Sequence, residues 1–98
     1  MLNYTKQEIS QELLERGYER KMAELVASEL ILLSDKLHDL LNAWIDNPLN
    51  VGDFSREGFS IIGLMKDRKM QYPAALLTMD WLLKEPDKAL LSLKRKIR

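Results

Sequence analysis

The chain of 98 residues has no cysteine, only one histidine, four glycines and three prolines. Without cysteine it can form neither disulfide bonds nor thiolate metal sites, and nothing in it indicates an oxidising compartment. Its glycines are widely scattered, so it has no glycine-rich loop of the kind that holds phosphate groups. Its strictly apolar runs, such as residues 30–33, are far shorter than the roughly 20 residues needed to cross a bilayer. We therefore expect no membrane span.

We expect no secretory signal peptide in the N-terminal sequence. MLNYTKQEIS contains no basic segment followed by an apolar run, which is the pattern of a secretory signal peptide. Apolar residues form 46% of the chain and charged residues 31%, and these proportions are typical of a globular protein. The length matches one domain of the commonest size. We therefore expect a single soluble domain, residues 1–98, in the cytoplasm.

Charge is distributed unevenly along the chain, although the net charge is zero. Residues 1–53 contain ten acidic and five basic residues, a net charge of −5, and residues 54–98 contain five acidic and ten basic residues, a net charge of +5. The favoured interpretation is that the acidic half packs against the basic half, in the same molecule or in a second copy. The alternative is a basic surface that binds nucleic acid or an acidic partner.

Apolar residues recur at helical spacing throughout, so we predict an all-α fold. The expected architecture is a compact orthogonal or up-down bundle of four to five helices, at about residues 5–16, 19–46, 58–68, 73–84 and 86–97. Thr5 and Glu8 form a capping-box pattern, which begins the first helix. Gly17 ends it, because glycine readily adopts the left-handed conformation that closes a helix.

The predicted second helix is the longest element, and its end is set by Pro48, because proline cannot continue a helix. Its apolar stripe has spacings of three and four: Met22, Val26, Leu30, Leu33, Leu37, Leu40 and Trp44. Ile31 and Leu32 lie off this stripe, so they need a second neighbour or are exposed. Ser34 is also a good helix start, so a break near residue 34 is our second choice. The opposite, acidic face is expected to be solvated: Glu24, Ser28, Asp35, Asp39 and Asp46.

The helix predicted for residues 73–84 has two apolar faces, whereas a surface helix needs one. The broad face contains five residues: Ala75, Leu76, Met79, Leu82 and Leu83. The second strip contains Ala74, Leu77 and Trp81, and Asp80 and Lys84 separate the two faces as an i, i+4 ion pair. The favoured interpretation is a central helix covered on both sides. The alternative is that Trp81 meets another chain, because tryptophan is enriched at interface centres.

Few residues in the chain indicate chemistry. His38 lies beside Asp35, Asp39 and Asn42, but a metal site needs three or four converging ligands, so we expect a partly exposed histidine at the edge of an acidic face. The connection 46–58 resembles a calcium loop only in part, because Pro48 occupies a ligand position; we expect a loop with a short helical turn at residues 54–57. We therefore expect no enzyme activity, metal or cofactor, and infer no small-molecule substrate.

We therefore predict a small protein-interaction module that self-associates as a homodimer or binds one protein partner. The candidate interface residues are Leu77, Trp81, Ala74, Ile31 and Leu32. The alternative is a nucleic-acid-binding regulator that uses the basic C-terminal half. Its candidate contacts are Lys66, Arg68, Lys69, Lys94, Arg95, Lys96 and Arg98. The helix predicted for residues 73–84 argues against this alternative, because a recognition helix must present polar side chains to base edges.

Overall fold

The computed structural model describes residues 1–95 and is mainly helical. Its six α-helices are α1 Lys6–Glu15, α2 Arg20–Leu30, α3 Asp35–Asp46, α4 Ile61–Arg68, α5 Tyr72–Lys84 and α6 Pro86–Arg95. A two-stranded antiparallel hairpin, β1 Ser55–Arg56 and β2 Phe59–Ser60, is the only sheet within residues 1–95. The predicted all-α class is confirmed, with six helices instead of four to five. The predicted end of the last helix at residue 97 lies outside the described residues.

The chain forms two compact units, which meet in sequence after Gly52. The first unit holds α1, α2 and α3, and its closest helix pair is α1 with α2. The second holds the hairpin and α4, α5 and α6, and in it α5 contacts both of the other helices. The expectation of one domain for residues 1–98 stays a prediction. None of the described helices is long and apolar enough to cross a membrane.

The predicted second helix is two helices, so the prediction of a continuous helix over residues 19–46 was wrong. After Leu30 the backbone forms tight turns with hydrogen bonds three residues apart. The amide of Leu32 donates to the carbonyl of Glu29 over 3.0 Å, and the amide of Leu33 donates to the carbonyl of Leu30 over 3.2 Å. Ser34 then adopts an extended conformation, with ψ of 161°, as the N-cap of α3. The break near residue 34, the second choice from the sequence, is confirmed.

The packed face of α2 differs from the predicted stripe. α1 buries Ile9 and Leu13, whereas α2 buries Ala23, Ala27 and Leu30. Small alanine side chains let a helix approach its neighbours closely, and the buried face of α2 uses them in place of the larger apolar residues Met22, Leu25 and Val26. The stripe was therefore wrong at its start, where Met22 is exposed and Val26 is partly buried. Farther along, Leu30, Leu33, Leu37 and Trp44 are buried as predicted, whereas Leu40 is partly buried.

The start and end of α1 follow the sequence signals. The amide of Glu8 donates to Thr5 Oγ1 over 3.1 Å, and the amide of Thr5 donates to Glu8 Oε1 over 2.8 Å, which completes the predicted capping box. At the other end Gly17 has a φ of 98°. The amide of Tyr18 donates to the carbonyl of Leu13, five residues earlier, over 3.0 Å, which is the hydrogen bond that defines a Schellman helix end.

Arg16, the C-cap residue of α1, links this helix to the end of α3. Its Nη1 atom lies 2.5 Å from Glu12 Oε1 on its own helix, and its Nη2 atom donates to the carbonyl of Ile45 over 3.2 Å. The guanidinium group also lies over the ring of Trp44, 4.6 Å from the ring centroid. One partly buried cation therefore joins α1 to α3 through an ion pair, a hydrogen bond and a cation–π contact.

The connection between α3 and α4 contains a β-hairpin, so the predicted helical turn at residues 54–57 was wrong. Ser55 pairs with Ser60 and Arg56 pairs with Phe59, which leaves a two-residue turn. Both turn residues have positive φ, 55° at Glu57 and 83° at Gly58, as a type I′ turn requires. Ser60 then caps α4, where its Oγ accepts from the amide of Gly63 over 2.9 Å.

Candidate protein-interaction surface

The first candidate surface is the second strip of α5. The helix buries seven residues: Tyr72, Pro73, Ala75, Leu76, Met79, Asp80 and Leu82. In the second strip, Leu77 and Trp81 are partly buried and Ala74 is exposed. The two large side chains of this strip therefore have limited area open to solvent. The role of Trp81 as an interface anchor stays a prediction.

The ion pair expected on α5 is present. Lys84 Nζ lies 2.7 Å from Asp80 Oδ2. The sequence predicted that this pair marks the boundary between two apolar faces. In the structure Lys84 is exposed, but Asp80 is buried and retains 7% of its accessible surface. The pair therefore supplies a buried carboxylate with a cation, which a buried charge requires.

A second apolar surface lies on the outward side of α2. Met22 exposes 51% of its surface, Leu25 63% and Leu32 68%. Leu25 lies two residues from both Ala23 and Ala27, so it points about 160° away from this packed face at 100° per residue. Lys21 and Glu29 share the outward side and are exposed. We define the α2 outer face as Lys21, Met22, Leu25, Glu29 and Leu32.

The sequence identified only part of the α2 outer face. Leu32 was a candidate and is exposed, whereas its neighbour Ile31 is partly buried. Met22 was assigned to the core stripe, and Leu25 was not selected. The spacing of Met22, Leu25, Glu29 and Leu32 is three, four and three residues, so the face was detectable as a second helical stripe. It was missed because the large apolar residues of α2 were expected to face the core, whereas α2 buries Ala23, Ala27 and Leu30.

The candidate nucleic-acid contacts that the structure describes differ in exposure. Lys66 and Lys69 are exposed in and after the last turn of α4, with the exposed carboxylate of Asp67 between them. Arg68 is partly buried, and its guanidinium lies 5.6 Å from the ring centroid of Phe59. Lys94 is exposed on α6. The side chain of Arg95 and all of Lys96 and Arg98 lie outside the described residues.

His38 is not the partly exposed histidine expected from the sequence. It retains 8% of its accessible surface, and its Nε2 atom lies 3.0 Å from the carbonyl oxygen of Leu30. Helix α3 turns the ring inward, toward the end of α2. Across residues 1–95, no three His, Asp or Glu side chains come together in a group that would hold a metal ion.

The polar side of α3 is covered in part by the first four residues, which the sequence did not predict. Asn42 holds this segment through two hydrogen bonds, from its Nδ2 to the carbonyl of Met1 over 2.6 Å and from the amide of Asn3 to its Oδ1 over 2.9 Å. The hydroxyl of Tyr4 donates to Asp46 Oδ1. This bond, the largest cause, and the nearby negative charges raise the pKa of Tyr4 above its usual value. The acidic edge expected to be fully solvated is therefore partly occupied.

Two surface depressions of the chain have linings that mix polar and apolar groups. One is lined by the starts of α1 and α2, including Thr5, Lys6 and Arg20. The other is lined by the turn of the hairpin and by α4, including Gly58, Ser60 and Asp67. His38 does not line either depression. Neither depression therefore places a histidine where it would act as a general base on a bound molecule.

Comparison with models of protein families, with curated proteins and with solved structures found no match for this chain. The function is therefore inferred from the all-α fold class and from the surfaces described above.

Proposed function

We propose that this chain is a small protein-interaction module without catalytic activity, which self-associates or binds one protein partner in the cytoplasm, as its sequence predicts. The observation that carries the proposal is the α2 outer face, where Met22 and Leu25 are exposed on one side of α2 and Leu32 is exposed just after its end. Isolated exposed apolar residues are ordinary on protein surfaces. Large apolar side chains grouped on one helix face are typical of surfaces that bind another protein.

The second strip of α5 supports the same function less strongly. Its large residues, Leu77 and Trp81, are partly buried, so a partner would gain less contact area from them than from Leu25 or Leu32. We therefore assign the main contact to the α2 outer face.

The nucleic-acid alternative has weaker support, because its candidate residues on and next to α4 do not form an uninterrupted basic surface. Asp67 is exposed between Lys66 and Lys69, and its carboxylate would repel phosphate. The guanidinium of Arg68 is engaged with Phe59. Affinity for nucleic acid depends on several cations that neutralise phosphates together.

Photo-crosslinking tests the proposed function directly. A photoreactive amino acid at Leu25 would be compared with the same group at Gln7, which is exposed on α1 and lies outside the α2 outer face. We expect protein adducts, to a second copy or to one host protein, from position 25 and none from position 7. The same yield at both positions, or no adduct from position 25 in purified protein and in host extract, would contradict the proposal.

A further inference from the structure

We propose that the partner of the α2 outer face is a second copy of this chain, bound antiparallel about a two-fold axis that passes beside Leu25. This inference rests on the proposed function and specifies its partner. It depends on the order of charged and apolar residues along the face, which is complementary to itself when one copy is reversed.

Charges of opposite sign lie at equal distances from Leu25. Lys21 precedes it by four residues and Glu29 follows it by four, so all three lie on the same side of α2. At 1.5 Å per residue, each charge lies about 6 Å from Leu25 along the helix axis. Both charged side chains are exposed, and neither forms an ion pair with any residue that the structure describes.

A reversed second copy satisfies both charges at once. A two-fold axis beside Leu25 places this leucine against Leu25 of the second copy, and places each Lys21 opposite a Glu29. A parallel arrangement would place Lys21 against Lys21 and Glu29 against Glu29, which is repulsive. Two-fold interfaces require a surface that is complementary to itself, and the α2 outer face meets this requirement in one orientation only.

The apolar residues fit the same arrangement. Met22 lies three residues before Leu25, so a reversed second helix covers it beside the axis. Leu32 lies two residues beyond the end of α2 and is covered only at the edge of the interface. Glu24, the other exposed charge near the middle of α2, points about 100° away from Leu25 and therefore lies at the rim. A single helix pair buries less area than the roughly 1,600 Å² of a standard interface, so we expect a weak and reversible dimer.

Charge reversal tests this arrangement. Lys21→Glu places two glutamates against each other, and Glu29→Lys places two lysines against each other. We expect each variant alone to weaken dimerisation roughly tenfold, because two attractive pairs become repulsive. An equimolar mixture of the two variants restores both attractive pairs, so it should associate at least as tightly as the wild type. Sedimentation velocity over a concentration series gives the dissociation constants.

Two further variants complete the experiment. Lys36→Glu changes the net charge as Lys21→Glu does, but at an exposed position on α3, and should leave dimerisation unchanged. Leu25→Glu should abolish it, and circular dichroism checks that every variant folds. A monomeric wild type, or a mixture no tighter than its two components, would overturn the inference. If a monomeric chain still crosslinks from position 25 to a host protein, the inference fails and the proposed function stands; if it crosslinks to nothing, both fail.

Discussion

The Nε2 atom of His38 lies 3.0 Å from the carbonyl oxygen of Leu30, the last residue of α2. A carbonyl oxygen only accepts, so the proton lies on Nε2 in this hydrogen bond. The same carbonyl accepts from the amide of Leu33 over 3.2 Å. Both of its acceptor sites are thereby used at the point where the helix ends. A side chain from the first part of α3 therefore fixes the break that separates the two helices.

We expect His38→Phe to destabilise the chain, because phenylalanine fills similar volume without a donor. The loss should be about 1 kcal/mol, as for a typical buried hydrogen bond, measured by urea denaturation. His38→Gln is the matched control, since its amide retains a donor on a flexible side chain. Equal stability of His38→Phe and the wild type would show that the bond to Leu30 contributes nothing.

Gly63 gives a second prediction, about the start of α4. Replacement of glycine by alanine inside a helix normally stabilises by about 1 kcal/mol. Here an added Cβ would lie 2.8 Å from Ser60 Oγ, which accepts the capping hydrogen bond from the Gly63 amide. To relieve this contact the hydroxyl must rotate away, with loss of a cap worth about 1 kcal/mol. We therefore expect Gly63→Ala to leave the free energy of unfolding of the wild type unchanged.

The control is the same substitution without the hydroxyl. In a Ser60→Ala background the cap is already lost, so Gly63→Ala should regain its usual stabilisation of about 1 kcal/mol. The two backgrounds form a double-mutant cycle, which isolates the interaction between positions 60 and 63. An identical effect of Gly63→Ala in both backgrounds would count against the proposed contact.

Tyr4 and Asp46 give a prediction about pH. The hydrogen bond to Asp46 is the largest cause of the raised pKa of Tyr4, so Asp46→Asn should lower this pKa toward its usual value of 10.0. Titration of the tyrosine Cζ signals by NMR measures it. Tyr18 is an internal control. Burial raises its pKa, and a substitution at residue 46 does not change this cause, so its pKa should stay the same. A Tyr4 pKa unchanged by Asp46→Asn would disprove the assigned cause.

The sign of the stability effect follows from the same shift. The pKa of Tyr4 is higher in the folded chain than its usual value, so its contribution to stability is present below pH 10. That contribution is lost as the pH rises through the folded pKa. We expect the wild type to lose more stability in this alkaline window than Tyr4→Phe, as measured by urea denaturation at successive pH values.

Arg16 gives a prediction about the contact between α1 and α3. Arg16→Met keeps most of the aliphatic length but removes the hydrogen bond to Ile45 and the contact with Trp44, so we expect a loss of about 1–3 kcal/mol. Arg16→Lys keeps the charge without the planar group, and should recover only part of the loss. Urea denaturation gives the stabilities, and the indole NMR signal of Trp44 reports the loss of the stacked cation. If Arg16→Lys were as stable as the wild type, the positive charge alone would account for the stabilisation.

Local signals in the sequence predicted much of the fold, where one or two residues determine the backbone. Thr5 with Glu8 begins α1, Gly17 ends it, and Pro86 begins α6, because each acts through its own conformational preference. The hairpin was missed because its turn places Glu57 at a φ of 55°. Asparagine or aspartate there would have been a recognisable signal, but glutamate is not.

Features that depend on residues far apart in the sequence were harder to predict. The break after α2 was only our second choice, because apolar spacing continues past Leu30, while the bond from His38 at this break spans eight residues. The contacts of Asn42 with the first residues span about forty. For the candidate surface, the exposure of Leu32 was anticipated. Leu25 was not, since its exposure follows from the choice of Ala23 and Ala27 as the packed face.

The alanine-lined contact of α2 has a consequence for how substitutions in this helix would be tolerated. Ala23 and Ala27 are fully buried, so a larger residue at either position would clash with the groups packed against it, and both positions should admit little change if the chain is to fold. Leu25, on the reverse side, is free to become polar with little penalty to folding. A mutational scan that scores only expression or thermal resistance would therefore rate Leu25 as dispensable. Any intolerance to change that appears there in living cells would report a requirement other than foldability.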